Sequence, residues 1–274
     1  MSVGNITLSA AARSNLQALQ TLSHQLETTQ TDLATGKAVN SAADNANAFF
    51  ASQGFLQRAN DLSNLKDNLS TALQTVTSFN QSISEVTNVV TQLQGITTTA
   101  LQNSDTGTRA GLASQFNALL TQLDLLVNDA TFNGTNLLNN TTNSLVVFFN
   151  EKNTTALTIT GVNILHGGLS LATATGAFSS TSAINTSASL LLTALSTLRT
   201  DASNFGGNAT LIQTRQDFTT NLINSLNTAS DNLVLADTNA EGANLQALQA
   251  QNQLGIVALG ISGQLAQAVL RLFP

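Results

Sequence analysis

Cysteine is absent from this chain, which removes disulfides, thiolate nucleophiles and cysteine-ligated metals from the possibilities. Proline occurs once, as the last residue, Pro274, so nothing in the interior obliges a helix to kink. Basic residues are scarce: 9 Lys+Arg stand against 15 Asp+Glu, for a net charge of −6. That balance argues against nucleic acid as a partner, because phosphate neutralisation needs clustered Lys and Arg. Charge of either sign is low, at 9% of residues against roughly 25% in ordinary soluble domains. Asn, Gln, Ser and Thr fill the polar faces instead. Such a surface repels itself weakly and favours dense packing of many copies.

Long apolar runs are lacking as well. The N-terminus, Met-Ser-Val-Gly-Asn-Ile-Thr-Leu-Ser, has neither a basic n-region nor an apolar h-region, so no cleaved signal peptide is expected. The run Leu254–Leu270 is short and contains Gln264 and Gln267, which speaks against a membrane span and for an amphipathic partner helix. The only histidines, His24 and His166, are joined by no spacing to a carboxylate pair, and read as surface or interface imidazoles. Gly255-Ile-Val-Ala-Leu-Gly-Ile-Ser has the glycine spacing of a phosphate loop, but Ile261 stands where the lysine belongs and no strand precedes it. No catalytic constellation, metal set or cofactor site is found, and an enzyme is not expected.

What is present is helical periodicity. The same hexapeptide, Asn-Leu-Gln-Ala-Leu-Gln, occurs at 15–20 and at 244–249, each copy inside a charge-poor amphipathic stretch. Between Gly242 and Leu270 no residue is ionisable. Two such stripes at opposite ends are best explained if they pack on each other or on copies of themselves. The candidate assembly contacts are Leu16, Leu19, Leu22 and Leu26 at one end and Leu254, Ile261, Leu265 and Leu272 at the other.

The strongest repeat lies at 62–100. Leu62, Leu69, Val76, Ile83 and Val90 fall at heptad position a, with Leu65, Ala72, Phe79, Val86 and Leu93 at d. Five unbroken heptads predict a helix roughly 58 Å long with a seam for a partner. A shorter helix is predicted over Thr108–Ala130, with Leu112, Phe116, Leu119, Leu123 and Leu126 inward. Asn-Gly at 133–134 then supplies a turn. Ser144–Asn150 and Ala156–Thr160 are β-branched and aromatic and predict a hairpin. Loops follow to Asn185. Helix resumes over Ser187–Ser203, breaks at Gly206-Gly207, and continues with Leu211, Arg215, Phe218, Leu222, Leu226, Ala229, Leu233 and Ala236 as the antiparallel partner of 62–100. Phe49, Phe50 and Phe55 read as core or subunit-contact aromatics. The fold class expected is mainly α: a long antiparallel helical-hairpin rod with terminal coiled-coil helices and a small β-hairpin excursion.

Three stretches carry a family resemblance. Leu33-Ala-Thr-Gly-Lys-Ala-Val-Asn-Ser-Ala-Ala-Asp44 is similar to the flagellin motif Leu-Ser-Thr-Gly-Lys-Arg-Ile-Asn-Ser-Ala-x-Asp, with Ala38 in place of the arginine. Phe132-Asn-Gly-Thr-Asn-Leu-Leu138 is similar to Phe-Asn-Gly-x-x-Leu-Leu. Ala236-Asp-Thr-Asn-Ala-Glu-Gly-Ala-Asn-Leu245 and Ala268-Val-Leu-Arg-Leu-Phe273 are similar to the family's Ala-Asp-x-Ala-x-Glu-x-Ala-Asn-Leu segment and Val-Leu-x-Leu ending. The chain thus resembles bacterial flagellin along nearly its whole length. The resemblance implies an inner-tube coiled coil from 1–40 with 235–274, a helical rod from 41–234 with a hairpin near 144–160, and no variable outer domain. It implies a filament subunit for swimming motility whose ends fold on polymerisation. The implied partners are further copies, the flagellar export machinery with an export chaperone, and the filament cap and hook-junction proteins. The implied location is extracellular, on the flagellum. The alternatives are a hook–filament junction protein, or a secreted adhesin or host-signalling protein. The segment that the vertebrate Toll-like receptor detects in other flagellins, similar to Gln-Arg-Val-Arg-Glu-Leu-Ala, corresponds to Thr91-Gln-Leu-Gln-Gly-Ile-Thr97. Both arginines and the glutamate are missing there, which implies poor detection.

Overall fold

Residues 10–271 are described by the computed structural model. Among the described residues there are five α-helices: α1 (Ala10–Thr35), α2 (Ala42–Gln102), α3 (Thr106–Asp129), α4 (Thr181–Val234) and α5 (Thr238–Arg271). Strands β1 (Ser144–Phe148) and β2 (Ala156–Thr160) form an antiparallel pair in which Val146 opposes Thr158. The chain divides into two compact units, one of Met1–Arg58 with Asn224–Pro274 and one of Ala59–Ile223. No described helix is long and apolar enough to cross a membrane.

In the second unit the α2 heptads form the core. None of the ten predicted a and d residues is more than 8% exposed, and Leu69, Val76, Ile83, Val86, Val90 and Leu93 are fully buried. At about 1.5–3 kcal/mol for each large apolar side chain removed from water, this seam dominates the unit's stability. The rings of Phe79 and Phe205 meet edge-on at 6.4 Å, which places α4 alongside α2. Arg109 at the start of α3 fixes the other end. Its Nε donates to Ala100 O and Asn103 O at the α2 terminus, and its Nη2 reaches Thr181 Oγ1 at the α4 start. The α4 start thus lies by the α2 end, and α4 runs antiparallel to α2.

Five expectations need correction. Helix α4 begins at Thr181, six residues before Ser187, and runs through Gly206-Gly207 without a break. Two interior glycines cost about 1 kcal/mol each, and burial of Phe205 and Ile212 on either side offsets that. The buried face of α4 is also one residue out of step with much of the predicted stripe, although Leu226, which that stripe included, is buried. Phe205, Ile212, Thr219, Leu226, Ser230 and Val234 are buried, whereas Leu211, Phe218 and Leu233 are exposed. Likewise α3 buries Ala113, Phe116, Leu120, Leu123 and Val127, leaving Leu112, Leu119 and Leu126 half-buried. Finally, α3 starts at Thr106, ahead of Gly107, because Asp105 caps it by accepting from Thr108 N at 2.7 Å.

The Phe132–Leu138 stretch works as a reversal after α3. Asn133 and Gly134 both take positive φ, 50° and 75°, the pattern of a tight turn in which asparagine and glycine tolerate the left-handed region. Asn136 Nδ2 donates to Val127 O at 2.7 Å, satisfying a carbonyl that the helix end leaves orphaned. Its Oδ1 accepts from Leu138 N, and Leu137 and Leu138 are fully buried. The loop beyond β2 is held to α3 by Asp124, which accepts from the His166 backbone N–H at 2.8 Å and lies 2.5 Å from His166 Nδ1. His166 is therefore a tether. Phe178 completes the packing, edge-on to Phe116 at 5.4 Å.

Candidate assembly site

In the first unit α1 and α5 pack on each other. Asn15 Nδ2 donates to Ser262 Oγ at 3.3 Å. Leu19 rests against Gly255, where an added Cβ would lie 2.6 Å from Leu19 Cδ2. At the other end of the pair, Gln25, Thr28, Thr29 and Asp32 share a groove with Glu241, Asn244, Ala247 and Leu248. The helices are therefore antiparallel. The two copies of the repeated hexapeptide do not face each other: the first lies opposite the Gly255 region and the second opposite Gln25–Asp32. Gly255 permits this close approach, whereas Gly260 and Gly263 face open space.

The turn joining α1 to α2 explains the residue types of the Leu33–Asp44 motif. Gly36 takes φ +69°, the left-handed helix terminus that glycine adopts without a Cβ penalty. Its carbonyl accepts from Ala236 N, and Ala38 N and Val39 N donate to Val234 O. The motifs from the two ends of the sequence thus join through backbone hydrogen bonds, which any side chain at position 38 permits. Asn40 Nδ2 bridges to Asp32 Oδ1 and Lys37 O, both at 2.9 Å. Asp44 Oδ2 accepts from Ser41 N, Asn40 N and Ser41 Oγ. Those backbone donors, Ser41 first, hold its carboxyl below the usual range. Asn45 restarts α2 in extended conformation (φ −160°, ψ 98°) and caps it through Oδ1 to Ala48 N. Asp237 does the same for α5, accepting from Asn239 N and Ala240 N. A buried Ser52–Ser230 hydroxyl pair at 2.8 Å ties α2 to α4 in this unit.

One member of this cluster is electrostatically disfavoured. Asp32 is 9% exposed, and its carboxyl is pushed up, first by burial, then by Glu241 and Asp44, against the opposing bond from Asn40.

The predicted assembly contacts separate into two groups. Leu22 and Leu26 are buried and Leu19 is half-buried, all on the α1 face turned to α5. Leu254, Ile261 and Leu265 are 70%, 53% and 62% exposed, and Leu16 is exposed too. Leu272 lies outside the described residues. Ile256 and Val257 add to the exposed set. Helix α5 is apolar beyond the face that α1 covers, the pattern of a helix meant for burial on several sides. Phe50 is exposed and its ring meets Phe49 edge-on at 5.6 Å. Sequence reasoning did not single out Asp32, Asn40 or Asp237, although each lies in or beside a motif whose polar residues have capping and turn spacing.

Comparison with known families decides what this arrangement belongs to. The bacterial flagellin N-terminal helical region matches residues 6–143, and the flagellin C-terminal helical region matches residues 189–273. The chain belongs to the bacterial flagellin family. Flagellins FljO and FljM of Caulobacter vibrioides are each 30% identical to it over 100% of both chains. A Brucella melitensis flagellin is 27% identical over 99% of each. A crystal structure of Bacillus cereus flagellin aligns with 56% of this chain and 88% of its own at a TM-score of 0.48 and 16% identity. This flagellin is a structural subunit of the flagellar filament, which assembles from copies of itself outside the cell, and the junction-protein and adhesin readings are not favoured.

Proposed function

We propose that the α1·α5 pair forms the inner tube of the filament and that neighbouring copies cover its remaining apolar faces. In this reading Leu16, Leu254, Ile261 and Leu265, with Leu272, contact other subunits, while Leu19, Leu22 and Leu26 hold the pair together within each one. The observation that carries it is the division of exposure along α5. One face packs on α1, and the others present large aliphatic side chains to solvent with no ionisable residue from Gly242 to Leu270. In this reading assembly adds neighbours to the α1·α5 seam. Residues 41–234 build the outer helical layer. Delivery uses the flagellar export machinery and an export chaperone, and growth meets the cap and hook-junction proteins.

Seeded polymerisation tests this. The full chain extends filament seeds, and a chain lacking 240–274 stays soluble and helical without extending them. Extension by the truncated chain overturns the reading.

A further inference from the structure

Asp32 stands where a helix least favours an anion. It lies in the last turn of α1, which holds no basic residue, at the negative end of the helix dipole. It is 9% exposed, and Glu241 and Asp44 both repel its charge. Glu241 is accounted for locally, because it sits in the first turn of α5, where an anion is favoured. Asp32 is not. Its carboxylate accepts from the neutral Asn40 side chain, and among the described residues no Lys or Arg forms an ion pair with Asp32 or Glu241. Both carboxylates line the groove between α1 and α5, which has a volume of about 660 Å³. A buried carboxylate without a cation is destabilising, and the groove leaves room for a cation to enter. The opposite end of the helix pair carries the complementary charge. Arg13 is exposed there, next to the Asn15–Ser262 contact, and α5 finishes at that end on Arg271. Arg13 lies roughly 28 Å along α1 from Asp32, far beyond the reach of an arginine in the same chain.

We propose that the groove lined by Asp32 and Glu241 receives Arg13 of a second copy of this chain, so that the α1·α5 pairs stack acidic end to basic end. The two surfaces in contact differ, so the contact propagates from copy to copy and generates an open polymer where the rotation does not close. This rests on the assembly reading above and adds a division of labour to it. The aliphatic faces of α5 supply adhesion without a preferred register, and the charged ends fix the position of one copy along the next. It also gives the unfavourable charge of Asp32 in the single chain a use in the polymer.

Seeded growth of full-length Asp32→Asn, Arg13→Gln and the double variant tests this, with thermal melts of each monomer. Each single change is expected to raise the critical concentration about tenfold, while neither monomer melts below the parent. The double variant is expected to match the singles, because both changes remove the same contact. A single variant that grows like the parent overturns the proposal, and so does a double variant in which the two fold-changes multiply. Ile261→Asp, run alongside, separates this contact from the assembly reading. Blocked growth of Ile261→Asp with parental growth of the charge variants overturns the end-to-end contact alone. Parental growth of Ile261→Asp overturns the reading on which it rests.

Discussion

Ile261→Asp separates what holds one subunit together from what joins it to the next. Ile261 is 53% exposed in the single chain, so an aspartate there remains hydrated. The monomer should lose no more than about 0.5 kcal/mol, the range for ordinary surface changes. Leu26, on the face turned to α5, is 9% exposed. Aspartate there loses a buried leucine and places a charge in the seam, so several kcal/mol are expected. In the filament the order reverses. Once neighbours close over α5, the aspartate at 261 becomes a buried unpaired carboxylate, costing about 3–5 kcal/mol per contact. At 1.4 kcal/mol per factor of ten, the critical concentration for seeded growth rises on the order of 100-fold or more. Circular dichroism melts of the monomers and sedimentation of seeded reactions give both numbers. An Ile261→Asp monomer that melts as low as Leu26→Asp, or that polymerises like the parent, refutes the reasoning.

Asp32→Asn should stabilise the first unit near neutral pH. The folded pKa of Asp32 is raised, so its favourable contribution is full below about 3.8 and is lost as pH rises through the folded value. The amide side chain introduced there keeps an acceptor for Asn40 without the charge facing Glu241. A higher melting temperature at pH 7 that vanishes near pH 3 is expected, and no gain at pH 7 contradicts it. Asp44 has the opposite sign. Its pKa is lowered, so its contribution is present above about 3.8 and fades as pH falls through the folded value; Asp44→Asn should weaken the monomer at pH 7 and converge with the parent in acid. Gly36→Ala forces a left-handed alanine and should destabilise by about 1–2 kcal/mol, whereas Gly260→Ala, in open helix, should stabilise the monomer by up to about 1 kcal/mol; thermal melts check both. The Toll-like receptor for flagellin should respond weakly to this chain. Gln92 and Gly95 are exposed, and Gln92→Arg with Gly95→Glu should raise signalling in a reporter-cell assay; strong activation by the parent contradicts the expectation.

The sequence revealed most where apolar periodicity and burial agree. In α2 all five heptads are apolar at both seam positions, so the repeat alone fixes the buried face. In α4 the most apolar stripe, through Leu211, Phe218 and Leu233, is the exposed one. The buried face includes Thr219 and Ser230, whose hydroxyls bond to Arg215 O and Ser52 Oγ. A polar residue satisfied locally in this way can be buried at little cost, and hydrophobicity cannot announce it. The glycine pair misled for a related reason: propensity is local, and the flanking burial of Phe205 and Ile212 overrides it. The His166–Asp124 tether joins residues 42 positions apart, and no period connects them. At the assembly site the residue list was legible as two aliphatic stripes. Which leucines face α5 was not, because α1 carries apolar residues on more than one face and only the antiparallel offset through Gly255 decides among them.

Electron cryomicroscopy of filaments grown from this chain tests the central claim most directly. The expected result is an innermost layer of α1·α5 pairs, with Leu254, Ile261 and Leu265 within about 4.5 Å of apolar side chains from neighbouring subunits and Leu26 still packed on α5 of its own subunit. A filament in which Leu254, Ile261 and Leu265 face solvent, or in which α1 and α5 lie in the outer layer, contradicts it.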